Sequence, residues 1–244
     1  SSMDAVKARR FRATGGTAEE VAALAPDVVV GSSFMDPATR GALGELGFQV
    51  ETFASPATVE ASVAQVRALA KLAGHPERGE ALARRIEESV ATPPGPFVEA
   101  ALWQAGGIVP GKGTLVSDLM NRAGLTSYAE ARGMAQGDYL PLERIAADPP
   151  EPLLVAGGER GQRHPLLARI PALEVARFEP RLFYCGGPSI PRAMERLRAI
   201  LPGTGRGTTG RAVKGTRGKP GAWGESPPSA AFAAATSPFR GGSP

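Results

Sequence analysis

Cysteine is almost absent from this chain: Cys185 stands alone among 244 residues, which excludes an intramolecular disulfide and any multi-cysteine metal site. Histidine is nearly as scarce. With only His75 and His164, no imidazole-based metal centre is expected. No stretch reaches the roughly 18 consecutive apolar residues of a membrane span, and residues 1–12 lack the apolar core of a signal peptide. Charge of one sign is missing from most of the chain as well. Residues 203–244 hold six basic residues against one acid, Glu225, which exceeds the whole formal charge of +4 and leaves residues 1–202 at −1. A nucleic-acid-binding module would therefore rest on the tail alone, and no nucleic-acid partner is expected for the rest.

What is present is a globular composition, 42% hydrophobic, long enough for one large domain or two of roughly 100 residues. The last 42 residues differ: ten Gly and five Pro with no apolar period predict a disordered low-complexity segment over 203–244.

Before that tail, alternating helical and strand-like periods predict an α/β fold. Residues 17–25 read as a short helix with Thr17 as N-cap and Glu20 as its capping-box partner, stopped by Pro26. A buried strand at 27–31 follows, then a helix at 38–46 ended by Gly47, a strand at 48–53 and a helix at 57–72. Residues 76–90 form a charged amphipathic helix with Leu82, Ile86 and Val90 as its apolar stripe; it would span roughly 22 Å, enough to join two lobes. After a Pro-rich break at 93–96 the alternation resumes: strand 97–103, loop 104–113, helix 114–123, helix 142–147, strand 152–156, a strand around 182–184 and a helix at 191–200. Glu19 to Asp27 and Glu143 to Glu151 share the spacing E-x-[VI]-A-A-x-x-P-[DE], each followed by an apolar strand and glycine, as two related lobes would.

Gly106-x4-Gly111-Lys112 has the outline of a phosphate-binding loop. Gly113 stands where a Mg²⁺-binding Ser or Thr belongs, and Pro110 removes one amide, so a glycine-rich turn before the following helix is the simpler reading. No G-x-S-x-G nucleophile elbow occurs; Cys185 reads as a small residue at a strand end, and His75 and His164, each before proline, mark helix boundaries. Phe34, Trp103, Tyr139 and Tyr184 fall at or beyond predicted strand ends or in loops, where open α/β sheets bind ligands. That pattern points to a planar or bulky apolar ligand.

Together these residues resemble the substrate-binding proteins of bacterial ABC importers for cobalamin and ferric siderophores, the class with two lobes joined by a long helix. The resemblance is carried by TAEEVAALAPDVVVG from Thr17, LGELGFQV from Leu43, the helix pair through Glu88, WQAGGIVPGKGTLVSDLMNRA from Trp103, YLPLERIAADPPEPLLVAGG from Tyr139 and FYCGGPSIPRAMERLRAIL from Phe183. It implies two Rossmann-like lobes: residues 1–75 as a partial N-terminal lobe, 76–94 as interlobe helix and linker, and 95–202 as the C-terminal lobe. The N-terminal lobe is expected to be incomplete, because this family begins with a secretion signal and a further βαβ portion ahead of the block at Thr17.

The resemblance implies capture of a cobalamin-like or iron-chelate ligand (siderophore or haem) between the lobes and delivery to an ABC permease, with no catalysis, no cofactor, a periplasmic location for the complete protein and a monomeric state. The implied ligand contacts are Phe34, Trp103, Lys112, Tyr139, Arg160 and Tyr184, aromatics to stack and cations to neutralise an anionic chelate. Gly31 and Gly137 stand where cleft tryptophans of cobalamin-binding members are sought. By motif position Glu19 and Glu143 are the carboxylates that meet the permease, a matched pair suited to a two-fold partner. The rival is a cytosolic α/β enzyme holding a phosphorylated substrate or nucleotide in the loop from Gly106 to Thr114.

Overall fold

A computed structural model describes residues 9–90, 97–171, 173–184 and 186–201. Cys185, the Pro-rich break at 93–96 and the 203–244 tail lie outside those residues.

The first helix, α1 (Ala18–Ala22), starts where Thr17 accepts from the Glu20 N–H at 3.3 Å. The Glu20 carboxylate reaches past the cap residue, as a capping box would not, to the Gly15 N–H. Ala25, excluded by Pro26 from the right-handed region, takes φ +45° and ends the turn. Strand β1 (Val28–Ser32) leads to α2 (Pro37–Glu45), capped by Asp36 with proline in its first turn, and then to β2 (Gln49–Phe53). β1 and β2 pair in parallel from Val28↔Gln49 to Ser32↔Phe53. Ala18, Val29 and Leu43 form a small core against one face of this pair. The expectation of a fully buried first strand is corrected: among the described residues only one face is covered, and Val30 on the other is 50% exposed.

Helix α3 (Val59–Leu72) is capped by Thr58, whose hydroxyl accepts from the Ala61 N–H at 3.1 Å. It packs against α4 (Pro76–Ser89). Gly79 permits that approach, because a Cβ there would lie 2.3 Å from the Ala70 methyl. The sequence reading placed α3 with the first lobe and made α4 alone the connector. In the structure both helices lay Val59, Val63, Ala83 and Ile86 into the core of the second half, together with Leu119 and Leu197.

That second half is a parallel sheet of β3 (Val98–Gln104), β4 (Leu125–Ser127), β5 (Leu153–Ala156) and β6 (Val175–Arg177), in the order β4-β3-β5-β6. Strand alternation divides its side chains between two cores. Ala100, Leu102, Leu154 and Ala156 face α4, α5 (Leu115–Arg122) and α8 (Ile190–Ile200). Ala101, Trp103, Leu153 and Val155 face the layer of α6 (Tyr128–Ala131) and α7 (Leu142–Ala147). Both faces are covered, as parallel sheets require.

No strand forms at 182–184. Pro180, at the first position of a 3₁₀ turn, starts a curl in which the Leu182 N–H donates to the Glu179 carbonyl and the Phe183 N–H to the Pro180 carbonyl, while Leu182 and Phe183 enter the core. The sixth strand lies earlier, at 175–177.

One ion-pair network staples the α6–α7 layer to the sheet. Arg132 donates to Asp148 at 2.6 Å and to Glu99 at 2.8 Å, and its guanidinium carbon sits 3.4 Å from the Tyr128 ring centroid. The hydrogen bond from Arg132 lowers the Asp148 pKa against a smaller opposing effect of burial. The Glu60 pKa is also lowered, first by a backbone hydrogen bond and further by Arg122. Both shifts are depressions, so their stabilisation is complete above the ordinary carboxylate range and is lost as pH falls through the folded values. The urea midpoint is therefore expected to be flat near neutrality and to fall below about pH 4. Arg132→Gln should flatten part of that fall; an unchanged acid profile in the variant would show that Asp148 contributes nothing to it.

Candidate ligand-binding cleft

The chain runs from β3 to its neighbour β4 and returns past β3 to β5, so its switch point lies beyond the C-terminal end of β3. A cleft of about 380 Å³ opens there. The segment after β2 (Ser55, Pro56, Ala57) forms one side; the loop after β3 and the start of α5, from Gln104 to Val116, form another; Gln136, Gly137, Phe183, Tyr184 and Gly186 complete it. Its lining is mainly apolar, with Ser55, Gln104, Thr114 and Gln136 as polar groups.

Tyr184 is the expected contact that the structure puts in the lining. Tyr184 is 67% exposed, its ring lies 4.4 Å from that of Phe183, and its hydroxyl donates to the Gln104 side-chain Oε1 at 3.4 Å. Tyr139 and Lys112 flank the cleft. Tyr139 bridges to Ile108 on the rim and covers Gly107, while Lys112 is exposed beside the lining residue Gly113. Arg160 is exposed in the turn after β5, and Phe34, 84% exposed, follows β1 on the first lobe; neither lines the cleft.

Trp103 is corrected most sharply. It is 4% exposed in the α6–α7 core, and its indole N–H donates to the Leu140 carbonyl at 2.9 Å. Of the two glycines sought as tryptophan positions, Gly137 lines the cleft, whereas Gly31 packs on Met35. Pro56, Gln104, Gln136 and Gly186 are lining residues that sequence reasoning missed. Gln104 was within reach of it, standing at the C-terminal end of a predicted strand; Pro56 had no local signal.

The Gly106 to Thr114 loop is not built as a phosphate cradle. The Gly106 N–H donates to the Glu159 carboxylate at 2.7 Å, the Gly111 carbonyl accepts from the Thr114 and Ser117 hydroxyls, and Gly111 is pressed against the Gln136 backbone. The loop caps α5 and forms the cleft's rim. Glu19 and Glu143 occupy equivalent places, each the exposed second residue of a short helix that precedes a strand. Among the described residues, no group of three or more His, Cys, Asp or Glu side chains is placed to hold a metal ion, and no helix is long and apolar enough to cross a membrane.

The solved structures similar to this chain include a periplasmic haem-binding protein from Pseudomonas aeruginosa, 26% identical, with a TM-score of 0.56 over 75% of this chain and 74% of that one. The periplasmic haem-binding protein HutB of Vibrio cholerae is 17% identical, with a TM-score of 0.64 over 76% of this chain and 80% of its own. The periplasmic vitamin B12-binding protein BtuF of Vibrio cholerae is 16% identical, with a TM-score of 0.59 over 75% and 76%. At such identities HutB and BtuF share the fold with this chain. No curated protein sequence matches it. The model of the periplasmic binding protein family matches residues 10–178, and on that match the chain is a member of the periplasmic binding protein family.

Proposed function

We propose that this chain is the solute-binding component of an ABC importer, capturing a cobalamin-like or iron-chelate ligand (siderophore or haem) in the cleft beyond β3 and presenting it, in the periplasm, to a membrane permease through Glu19 and Glu143. The observation that carries the reading is the cleft itself, whose lining joins the exposed Tyr184 ring to the apolar side chains of Ile108, Val109 and Leu115. A flat conjugated macrocycle or bulky chelate fits such a surface, since an aromatic ring supplies contact area at little cost in rotamer freedom. Membership of the binding-protein family and the haem- and B12-binding relatives support the same ligand class. In this reading Lys112, beside the lining residue Gly113, and Arg160, in the turn after β5, meet peripheral anionic groups of a ligand larger than the cleft.

Absorbance titration of the full chain with haemin, cyanocobalamin, a ferric hydroxamate and a ferric catecholate is the test. Saturable micromolar or tighter binding of one of them is expected, and Tyr184→Ala should weaken it about 10-fold through loss of the ring contact. A cooperatively folded chain that takes up none of the four would overturn the reading.

A further inference from the structure

The cleft's walls come from distant parts of the chain, and one buried hydroxyl joins them. Ser62, in the first turns of α3, is 1% exposed. Its Oγ accepts a 2.7 Å hydrogen bond from the Gly187 N–H, 125 residues further along. The approach is close at this point: a Cβ on Gly186 would lie 2.4 Å from Ser62 Oγ and 3.2 Å from the Pro56 ring. Pro56, Tyr184 and Gly186 all line the cleft; Ser62 does not. The same end of α3 is tied on its other side, where the Val59 N–H donates to Asp118 at 2.8 Å and Arg122 holds Asp118 at 3.0 Å. Asp118 belongs to α5, whose first residues also line the cleft.

We propose that Ser62 is a positioning residue for ligand capture: it clasps Gly186 and Gly187 to the segment entering α3, so that the cleft wall is set before ligand arrives. The proposal rests on the chelate-binding reading of this cleft. The physical argument is one of preorganisation. A wall that must be ordered during binding subtracts the cost of ordering from the affinity, and a wall already held does not. Without the hydroxyl the Gly187 N–H is left buried and unpaired, so the loop must shift to find water or another acceptor.

The test is a double-mutant cycle on the full chain, read as affinity for haemin or cyanocobalamin, whichever the wild type takes up. Ser62→Ala should weaken binding about 10-fold, because a buried donor loses its acceptor. Gly186→Ala should weaken it comparably, its new methyl meeting Ser62 Oγ and Pro56. The pair together should lose less than the product of the two, since Ser62→Ala removes the atom that the methyl meets first. Single variants that bind as the wild type does, or strictly multiplicative losses, would overturn the clasp.

Should the wild type bind neither haemin nor cyanocobalamin, hydrogen exchange decides the clasp; the chelate reading fails separately only when the ferric hydroxamate and ferric catecholate are refused as well. A Gly187 amide protected in the wild type and unprotected in Ser62→Ala supports it, whereas fast exchange in the wild type overturns it.

Discussion

Replacing Trp103 with alanine is expected to destabilise the folded chain by about 3–5 kcal/mol, the range for deleting a large buried aromatic. The indole fills the space between β3 and the α6–α7 layer beside Leu140, Leu153 and Val155, each 5% exposed or less. Its N–H satisfies the Leu140 carbonyl at 2.9 Å, and leaving that acceptor unpaired contributes about 1–3 kcal/mol of the penalty. Trp103→Phe, which keeps most of the volume and loses the hydrogen bond, should cost less, about 1–3 kcal/mol. Urea unfolding followed by circular dichroism measures both. A Trp103→Ala variant with the wild-type midpoint and no ligand affinity would return Trp103 to the cleft.

The second large effect concerns delivery rather than binding. Reversing both Glu19 and Glu143 to arginine is expected to abolish ligand uptake through a reconstituted permease while leaving ligand affinity unchanged, and each single reversal should reduce uptake about 10-fold. The reason is geometric as well as electrostatic. The two carboxylates sit at matching places on related helix–strand units, so they can meet two copies of one basic site on a two-fold partner. Placing a cation in the first turn of each helix opposes its dipole and costs only about 0.3–1 kcal/mol of stability. Transport at the wild-type rate by the double variant would remove both residues from the docking surface. Reduced ligand affinity would mean that the substitutions disturb the lobes themselves.

Much of the local structure was legible because its causes are local. Thr17 caps the helix that follows, and helix α7 occupies the predicted residues 142–147, whereas Thr58 and Thr114, expected inside helices, cap them instead. The resemblance between the blocks at Glu19 and Glu143 corresponds to two helix–strand units, α1–β1 and α7–β5, with their carboxylates at the same position. The expected strand at 182–184 failed because apolar content was read as extended structure, whereas the N–H groups of Leu182, Phe183 and Tyr184 are taken by the Glu179 and Pro180 carbonyls in a 3₁₀ turn. β4 and α6 were missed because three- and four-residue elements are too short to show a period.

The site was less legible than the fold. Trp103 and Tyr184 looked alike in sequence, each an aromatic near the end of an expected strand. One is core and the other stands open in the cleft. Trp103 falls on the β3 face that α6 and α7 cover, a fact set by how the chain winds around the sheet rather than by any neighbour in sequence. Pro56 and Gly186 meet only because α3 folds onto the second half.

By itself, then, the sequence determined the α/β class, most helix limits and the paired carboxylates, since caps, glycines, prolines and apolar periods act within a few residues. Tertiary structure alone decided which aromatic faces ligand and which segments wall the cleft, because strand order and the packing of α3 bring together groups more than a hundred residues apart.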